Sequence, residues 1–428
     1  MSPATITIMI TVLMALMFLS GKFPFGLTTM TCCVLLVLTG VLEISDAFGG
    51  LSNKTIVMVA AMFALSTSLQ KTNLALKLKG TLSAMSGKKD LALIVVLFAI
   101  YFVMLLIMPG IVAMALIIGF LDALPDTGEV TPSRVIMPLL MFNVVWEGTV
   151  PVGMGATIDF STNAYMESIV AADQLLVFGN TVSVKIIPAI LMIPVCLFIW
   201  KLFPKKQLNM SAVQSKEMKE STLPQWKQNF VYACFILVII VLVLNKVAFF
   251  GKIMWIFPAA CVVAMGLVGV MNPKELTLAV CSDTVWMLAG ILGVTAALTN
   301  SGAAEIIGNM LLSLISWTNN SFMILLIVCL FTAIMTTFLS NSGVKSVLTP
   351  LVAAMAVAGG MDPRGMIICI TVASGFSFCF PTGSTTCALA YAAGEYNPFK
   401  IAKITLPLLF CLCLITAFAA NLFFPVWG

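Results

Sequence analysis

Residues 321–358, SFMILLIVCLFTAIMTTFLSNSGVKSVLTPLVAAMAVA, form one long apolar run with a polar tetrapeptide, SNSG at 340–343, near its centre. Each half of the run is shorter than the roughly 20 apolar residues that cross a bilayer comfortably. Non-helical backbone at membrane depth is tolerated only beside protein or a water-filled cavity. The run therefore predicts a re-entrant hairpin whose turn lies inside the membrane.

A second broken run, residues 91–122, is interrupted by Met108-Pro109-Gly110 and predicts a first hairpin of the same kind. The other apolar runs approach the length of spanning helices. Together these runs predict an all-α integral membrane protein with about ten spanning helices and two re-entrant hairpins. The predicted spans are 4–20, 25–43, 55–70, 133–150, 176–200, 229–248, 253–271, 284–299, 364–380 and 404–425.

The composition agrees with a membrane protein. Of the 428 residues, 61% are hydrophobic and 9% are charged, whereas soluble domains are about 45–50% apolar and about 25% charged. The formal charge of +5 is too small to indicate nucleic-acid binding. Histidine is absent, which excludes His-ligated zinc or haem and a Ser-His-Asp triad. We therefore expect no catalytic residue, no enzyme activity and no cofactor.

Two basic segments predict the orientation. Segment 71–89 carries five lysines and segment 201–227 carries six, and such segments accumulate on the cytoplasmic side. The number of predicted spans between them is even, so the two assignments agree and both termini are expected outside. We expect a multi-pass protein of the plasma (inner) membrane, with 71–89 as an amphipathic helix on the lipid surface.

The sequence on either side of the second basic segment shows the same features in the same order. Gly110 recurs as Gly343, and Pro151-Val-Gly153 as Pro381-Thr-Gly383. A lysine just before a proline that is expected to start a helix recurs as Lys185 with Pro188 and Lys403 with Pro407. Because the two hairpins are expected to enter from opposite sides, the pattern predicts an inverted-topology repeat, the build of many secondary transporters. The predicted parts are a first transmembrane repeat (1–200) with hairpin 91–122, a cytoplasmic linker (201–228), and a second repeat (229–428) with hairpin 321–358.

The most informative motif is TTFLSNSG at 336–343, where small hydroxyls and an amide cluster at the break of the second hairpin. Helix ends there expose unpaired N–H groups that suit a carboxylate or another anion. The freed carbonyls and hydroxyls suit a small cation such as sodium. The alternative is a turn whose polar side chains satisfy only its own backbone.

A second motif, FPTGSTT at 380–386, places four hydroxyls just after a proline and a glycine that are predicted to end a helix. Its first-half equivalent, VPVGMGAT at 150–157, has fewer polar groups. We expect both segments to line a substrate site near the membrane midplane, where the broken helices of such repeats meet. The alternative is a pair of interfacial loops.

Lys345 lies two residues beyond Gly343 in an apolar arm, where a lysine needs a partner or a wet cavity. Its candidate roles are a fixed positive charge for an anionic substrate, a tethered cation in place of bound sodium, or a proton carrier. The alternative is a lysine that extends to the membrane surface. For Lys185, at a predicted helix start, extension to the surface is the expectation.

The candidate residues follow from these motifs. Glu147 and Asp159 flank the first unwound segment and are expected either to face outside water or to hold a coupling proton or cation. Thr336, Ser340 and Asn341 are the candidate cation site, with sodium expected at Thr336 and Asn341. The candidate substrate-binding residues are Pro109, Gly110, Gly153, Thr157, Ser340, Asn341, Ser342, Gly343, Lys345, Pro381, Thr382, Gly383, Ser384 and Thr385.

Nearly the whole chain resembles the divalent anion–sodium symporter family, within an ion-transporter superfamily that includes citrate transporter-like permeases. The resemblance runs from LTGVL at 38–42 and AFGGLSN at 47–53 to NPFKIAKITLP at 397–407. Ser340-Asn341-Ser342 is similar to the Ser-Asn-Thr signature that this family carries at each hairpin tip. Residues 381–385 are similar to its Thr-Pro-Pro-Asn-like segment, without the double proline.

The resemblance implies that the second tip contacts substrate carboxylates and a sodium ion, and that Thr336 occupies a cation-site position. It also implies an elevator motion against a scaffold that forms a homodimer. The chain departs from the family at 108–110, which replace the first signature, and at Lys345. We therefore expect the first cation site of the family to be lost.

Four functions are considered. The leading one is a secondary transporter of a small organic anion such as a di- or tricarboxylate, coupled to Na⁺ or H⁺ or working by exchange with Lys345 as its fixed cation. The second is a cation/proton antiporter that uses Glu147 or Asp159. The third is a non-transporting membrane subunit or sensor, which is considered because the first hairpin lacks the family signature. The fourth is an enzyme, and no nucleophile–base pair supports it.

Overall fold

The computed structural model describes residues 2–20, 22–73, 90–121, 130–151, 153–205, 221–244, 248–315, 317–338 and 340–427. The predicted amphipathic helix at 71–89 and most of the linker at 201–228 lie outside these residues. The regular elements across the described ranges are all helical. The first-half α-helices are α1 (Pro3–Ser20), α2 (Phe25–Leu38), α3 (Ile44–Phe48), α4 (Lys54–Gln70), α5 (Asp90–Ile107), α6 (Gly110–Leu121), α7 (Pro132–Trp146), α8 (Ile158–Asn163) and α9 (Asn180–Ile199).

The second half also consists of helices, with several short ones between the long ones. Its α-helices are α10 (Gln225–Val243), α11 (Ala248–Ile253), α12 (Phe257–Leu267), α13 (Pro273–Val280), α14 (Asp283–Asn300), α15 (Ala303–Ile315), α16 (Ser321–Phe338), α17 (Asn341–Ala358), α18 (Pro363–Ala373), α19 (Thr385–Ala393) and α20 (Pro398–Phe423).

Five helical stretches of the described residues are long and apolar enough to cross a membrane by length and composition, or six if a bent pair at 44–69 counts as one span. Several shorter apolar helices, among them α2, α7 and α18, accompany them. The five stretches are Asn180–Leu202, Gln225–Val243, Pro273–Asn300, Asn341–Ala358 and Pro398–Phe423.

Both predicted breaks are present. The first run stops at Ile107 and resumes at Gly110, and the second stops at Phe338 and resumes at Asn341. A proline removes a backbone hydrogen bond of a helix, and small polar side chains compete for the others. Both breaks could therefore be predicted from the residues at the break alone. Whether either pair of arms is re-entrant stays a prediction, and the second arm Asn341–Ala358 is itself long enough to span.

Two sequence predictions about helix ends are wrong. The span predicted at 364–380 ends at Ala373, eight residues before Pro381, because the backbone unwinds through 374–384. Pro188 and Pro407 were expected to start helices, but both lie inside long ones, α9 and α20. The helix starts are set instead by caps: Asn397 accepts the Lys400 N–H at the start of α20.

The two halves pack closely where α2 of the first half crosses α14 of the second. Asp283 accepts hydrogen bonds from the backbone N–H groups of Phe25 and Gly26, 3.1 and 2.9 Å away, and so caps α2 from the opposite half. A methyl group on Gly290 would lie 2.5 Å from Thr29 Oγ1. Small residues thus allow the backbones to approach, as is usual between membrane helices. The contact joins the halves into one core on this side.

A second contact between the halves involves α9 and α20. α9 also packs on α7, and the hairpin arm α17 packs on α18. Residues at the ends of α7 and α18 and at the beginning of α17 line one cavity, and the beginning of α6 contacts the end of α7.

Candidate functional site

A cavity of about 330 Å³ lies between the two halves, where these broken helices meet. Its volume is within the range of sites for small molecules. Residues from both halves line it, including the charged side chains of Glu147, Lys185 and Lys345 and the polar side chains of Asn341, Ser377 and Ser384. Two lysines against one glutamate leave an excess of one positive charge on the walls.

The second hairpin tip forms one wall. Ser340 is the N-cap of α17, and its hydroxyl accepts the Gly343 N–H at 3.2 Å. Thr336 Oγ1 lies 2.8 Å from Asn341 Oδ1 and 2.6 Å from the carbonyl oxygen of Ser374, the residue that caps the end of α18. Three oxygens of neutral groups thus converge between the tip and the unwound segment.

The unwound segment after α18 is held against the hairpin. Thr382 Oγ1 donates to the carbonyl of Thr337 at 2.8 Å. A methyl group on Gly383 would lie 2.7 Å from Ser377 Cβ and 2.8 Å from the Thr336 carbonyl oxygen, so only glycine fits this approach. Ser384 then caps α19 by accepting the Cys387 N–H. These contacts fix Ser377 and Ser384 at the cavity.

The first hairpin tip has a different chemistry. The carboxylate of Glu147, at the end of α7, accepts the Gly110 N–H at 2.8 Å and the Asn143 amide at 2.9 Å. Asn143 Oδ1 in turn accepts the Tyr101 hydroxyl at 2.6 Å. Both arms of the first hairpin are therefore tied to the end of α7. The tip lacks a side-chain oxygen of its own, as the sequence predicted, but Glu147 brings one to it.

The expectation that Lys185 extends to the membrane surface is wrong. Its side chain is only 5% exposed, and its ammonium donates to the carbonyl oxygen of Glu147. Lys345 is half-buried and lines the same cavity. The Glu147 carboxylate attracts both ammonium groups, which repel each other. Sequence spacing alone could not reveal this group, because Lys185 and Glu147 lie on different helices.

Asp159 was expected to face water or to hold a coupling ion, and the water-facing expectation is wrong. It is 2% exposed and accepts the N–H groups of Gly179 and Thr181 at 2.8 and 2.9 Å. These N–H groups begin α9, and Gly179 there has a φ of +95°. Asp159 therefore caps the helix that carries Lys185, and it does not line the cavity.

The structure brings five of the sequence candidates to the cavity wall, namely Thr157, Asn341, Ser342, Lys345 and Ser384. Ser340 and Gly343 instead line a small apolar cavity of about 60 Å³ beside α1. Gly110 lies behind Glu147, and Thr336 is fully buried behind Asn341. The described lining of the main cavity does not include Pro109, Pro381, Thr382, Gly383 or Thr385. Gly153 begins a short 3₁₀ helix, and its surroundings lie outside what the structure describes.

Several cavity residues were not among the sequence candidates. Ser377 is the most informative, since the residue is 2% exposed and its buried hydroxyl is without a hydrogen-bond partner among the described residues. It lies in SGFSFCF (374–380), which looked like the end of an apolar span. The signal was the pair of small polar residues, Ser374 and Ser377, within that run. Asn143, Ser161 and Thr371 also line the cavity.

A larger cavity, about 430 Å³, is lined by Asp46, Asn53 and Glu167 near α3 and α14. Among the described residues around it there are two carboxylates and no cationic side chain. It lies away from both hairpin tips and its charge disfavours an anion.

Comparison with known proteins identifies the family. The family model for citrate transporters matches residues 15–318 and 256–427, which together span nearly the whole chain. The chain belongs to the citrate transporter family. The resemblance found in the sequence is thereby confirmed, and the protein is a member of a family of transporters rather than of a family of enzymes.

Individual relatives agree with this assignment. An uncharacterized transporter of Haemophilus influenzae is 21% identical over 406 residues, 91% of this chain and 85% of that protein. Sodium/sulfate cotransporter 1 of Chlamydomonas reinhardtii is 25% identical over 40% of this chain and 20% of its own length. Sodium-dependent high-affinity dicarboxylate transporter 3 of Caenorhabditis elegans is 30% identical over 26% of this chain and 19% of its own length. The chain spans only 18–28% of the length of several curated relatives that it matches.

Proposed function

We propose that this protein is a secondary transporter that carries a small organic anion, a di- or tricarboxylate, across the inner membrane. The observation that carries the proposal is the cavity of about 330 Å³ that both halves line, with two lysines and one glutamate on its walls. Charges in such a site need partners, because an unpaired buried charge is costly. An anion supplies the missing negative charge.

Lys345 is the proposed partner of a substrate carboxylate. It lies on the first turns of α17, whose N-terminal N–H groups lack carbonyl partners within the helix. Asn341 and Ser342 line the cavity one turn before it. A carboxylate there would meet an ammonium, an amide and the positive end of a helix dipole together. Ser377, Ser384 and Thr157 also line the cavity and would offer hydroxyls to a second carboxylate.

The coupling cation is proposed to lie in the second half, at Thr336, Asn341 and the Ser374 carbonyl, with Ser340 at the adjacent cap. Thr336 has one hydroxyl hydrogen but faces two oxygens at 2.6–2.8 Å. Oxygens freed at a broken helix suit sodium. The sodium-dependent names of two relatives support sodium as the coupling ion.

The architecture proposed for this function has two inverted-topology repeats, residues 1–200 and 229–428, with hairpins at 91–122 and 321–358. The segment 201–228 is the cytoplasmic linker, and both termini lie outside. The hairpins and the unwound ends of α7 and α18 would move as an elevator against a dimeric scaffold. The close α2–α14 packing supports a rigid framework that both halves share.

A binding experiment tests the substrate class. The melting temperature of the purified protein is measured with carboxylates of one to three charges, sulfate and chloride, each as sodium, potassium or choline salts. A bound ligand raises the apparent stability by mass action. We expect a shift with a di- or tricarboxylate that is larger in sodium. If only sulfate raises the melting temperature, the proposed substrate becomes sulfate in place of a carboxylate. If only sodium raises it, cation/proton antiport is favoured.

Transport itself is tested in proteoliposomes that contain the purified chain. We expect uptake of the carboxylate that stabilises the protein, driven by an inward sodium gradient. Lys345→Ala should abolish it, whereas Lys403→Ala, on the exposed side of α20, should transport normally. Binding without uptake would contradict a transporter and favour a sensor.

A further inference from the structure

The end of α7 carries a buried cation that the chain itself supplies. The last carbonyls of a helix lack N–H partners and carry partial negative charge. At the end of α7, the Glu147 carbonyl receives the ammonium of Lys185, which is 5% exposed. An ammonium this deep needs a counter-ion.

The counter-ion is the side chain of the same residue. The Glu147 carboxylate attracts the Lys185 ammonium and is held in place by the Gly110 N–H and the Asn143 amide. A helix-end carbonyl and a carboxylate together form an oxygen-rich site that would suit a small monovalent cation. The Lys185 ammonium donates to the carbonyl of this pair and is attracted by the carboxylate.

The second half shows that the fold does not require a lysine here. At the end of α18, the Ser374 carbonyl meets the neutral hydroxyl of Thr336. Lys403 of α20, the repeat counterpart of Lys185, is exposed. Asp159 adds to the contrast, since its cap on α9 fixes the helix that delivers Lys185 to the cavity.

We infer that Lys185 is a built-in cation that replaces an exchangeable sodium ion in the first half, with Glu147 as its counter-anion. The inference deepens the proposed function, because it limits the coupling cations to the second half. Its consequence is a site that lies hidden in the wild-type protein. Removal of the ammonium should let a free monovalent cation bind between the Glu147 carbonyl and carboxylate.

The test measures melting temperature against sodium chloride at constant ionic strength, with choline chloride as the balance and no organic anion present. Wild type gives the reference sodium response. Lys185→Gln should melt lower in choline and should recover with sodium, and the slope of its stability against the logarithm of the sodium concentration should correspond to about one more bound ion than in wild type. Lys403→Gln is the matched control and should follow wild type.

The double variant Glu147→Gln/Lys185→Gln separates charge balance from simple packing. It lacks both charges, so we expect it to melt above Lys185→Gln in choline and to lose the added sodium response. If Lys185→Gln does not fold, a folded double variant still supports the inference. The inference is overturned if Lys185→Gln shows only the wild-type sodium response. It is also overturned if the double variant is no more stable than Lys185→Gln, or if neither variant folds.

The proposed function can fail without affecting this result, since no organic anion is used. If the carboxylate panel gives no shift but Lys185→Gln gains a sodium response, the built-in cation stands and the substrate class is wrong. If the panel succeeds and no sodium response is gained, the substrate class stands and the role of Lys185 is wrong.

Discussion

The two broken-helix sites solve one electrostatic problem in two ways. In the first half, the beginning of α6 and the end of α7 are satisfied by charged groups of the chain, the Glu147 carboxylate and the Lys185 ammonium. In the second half, the beginning of α17 and the end of α18 meet neutral oxygens of Ser340 and Thr336. Under the proposed function, the first site keeps the cation of its own chain, whereas the second site binds and releases its ligands.

The largest expected effect comes from filling the space between Gly110 and Glu147. A methyl group on Gly110 would meet the Glu147 carboxylate and lie 2.7 Å from both polar atoms of the Asn143 amide. Overpacking and loss of this cap should together destabilise the protein by about 2–4 kcal/mol. The melting temperature of Gly110→Ala measures the effect.

Gly343→Ala is the matched variant in the other half. There the methyl group would lie 2.9 Å from the Ser340 hydroxyl, and its other neighbours are 3.6 Å away. A hydroxyl can rotate, so we expect a change of less than about 1 kcal/mol. Equal loss of stability in the two variants would show that the first tip is no more rigidly held than the second.

The next effect is on substrate affinity. Removal of the Lys345 ammonium leaves a bound carboxylate without its charged partner, which costs about 2 kcal/mol or more, or about 30-fold in affinity. Titration of the stabilising carboxylate against the melting temperature of Lys345→Ala measures it. Lys403→Ala should bind as wild type does. If Lys345→Ala binds the carboxylate as tightly as wild type does, other groups of the cavity bind the anion.

Local signals explain what the sequence could predict here. Pro109 and the 340–343 tetrapeptide interrupt apolar runs, and no partner elsewhere in the chain is needed to see that a helix stops there. The early end of α18 was missed because SGFSFCF is mostly apolar, and its unwinding depends on contacts with the hairpin such as Thr382 to Thr337. The local amino-acid composition does not predict such contacts.

The candidate site was predicted only in part for the same reason. Asn341, Ser342 and Lys345 share one helix start, so one motif found all three. Lys185 and Glu147 are 38 residues apart on different helices, and the sequence predicts a role for each of them separately. Their pairing depends on how α9 packs against α7. From the sequence we expect the first cation site of the family to be lost, but the sequence does not predict that the Lys185 ammonium donates to the Glu147 carbonyl.

A smaller effect is expected at the oxygens of the second half. Thr336→Val keeps the shape of the side chain but removes the hydroxyl between Asn341 and the Ser374 carbonyl. Loss of one coordinating oxygen should weaken the sodium dependence of carboxylate binding by about tenfold, or about 1.4 kcal/mol. The sodium concentration that gives half of the carboxylate-induced shift measures it.

Thr337→Val serves as its control, because the Thr337 hydroxyl donates only within its own helix, to the Ala333 carbonyl. Both residues are buried and adjacent, so a general effect of a hydroxyl lost from α16 should appear in both. A tenfold change in Thr337→Val as well would remove the evidence for a cation at Thr336.

The smallest effect should separate binding from stability. Ser377 has a buried hydroxyl at the cavity with no partner among the described residues, so its removal should leave the melting temperature of the ligand-free protein unchanged or slightly raised. If that hydroxyl donates to the substrate, Ser377→Ala should bind the carboxylate about fivefold more weakly, a loss of about 1 kcal/mol. Ser374→Ala removes a hydroxyl that is already engaged with the Thr371 carbonyl, so it should lower stability instead. If wild type and Ser377→Ala bind the carboxylate with equal affinity, the Ser377 hydroxyl does not contact the substrate. Recognition of the carboxylate would then rest on α17, which carries the positive charge of Lys345.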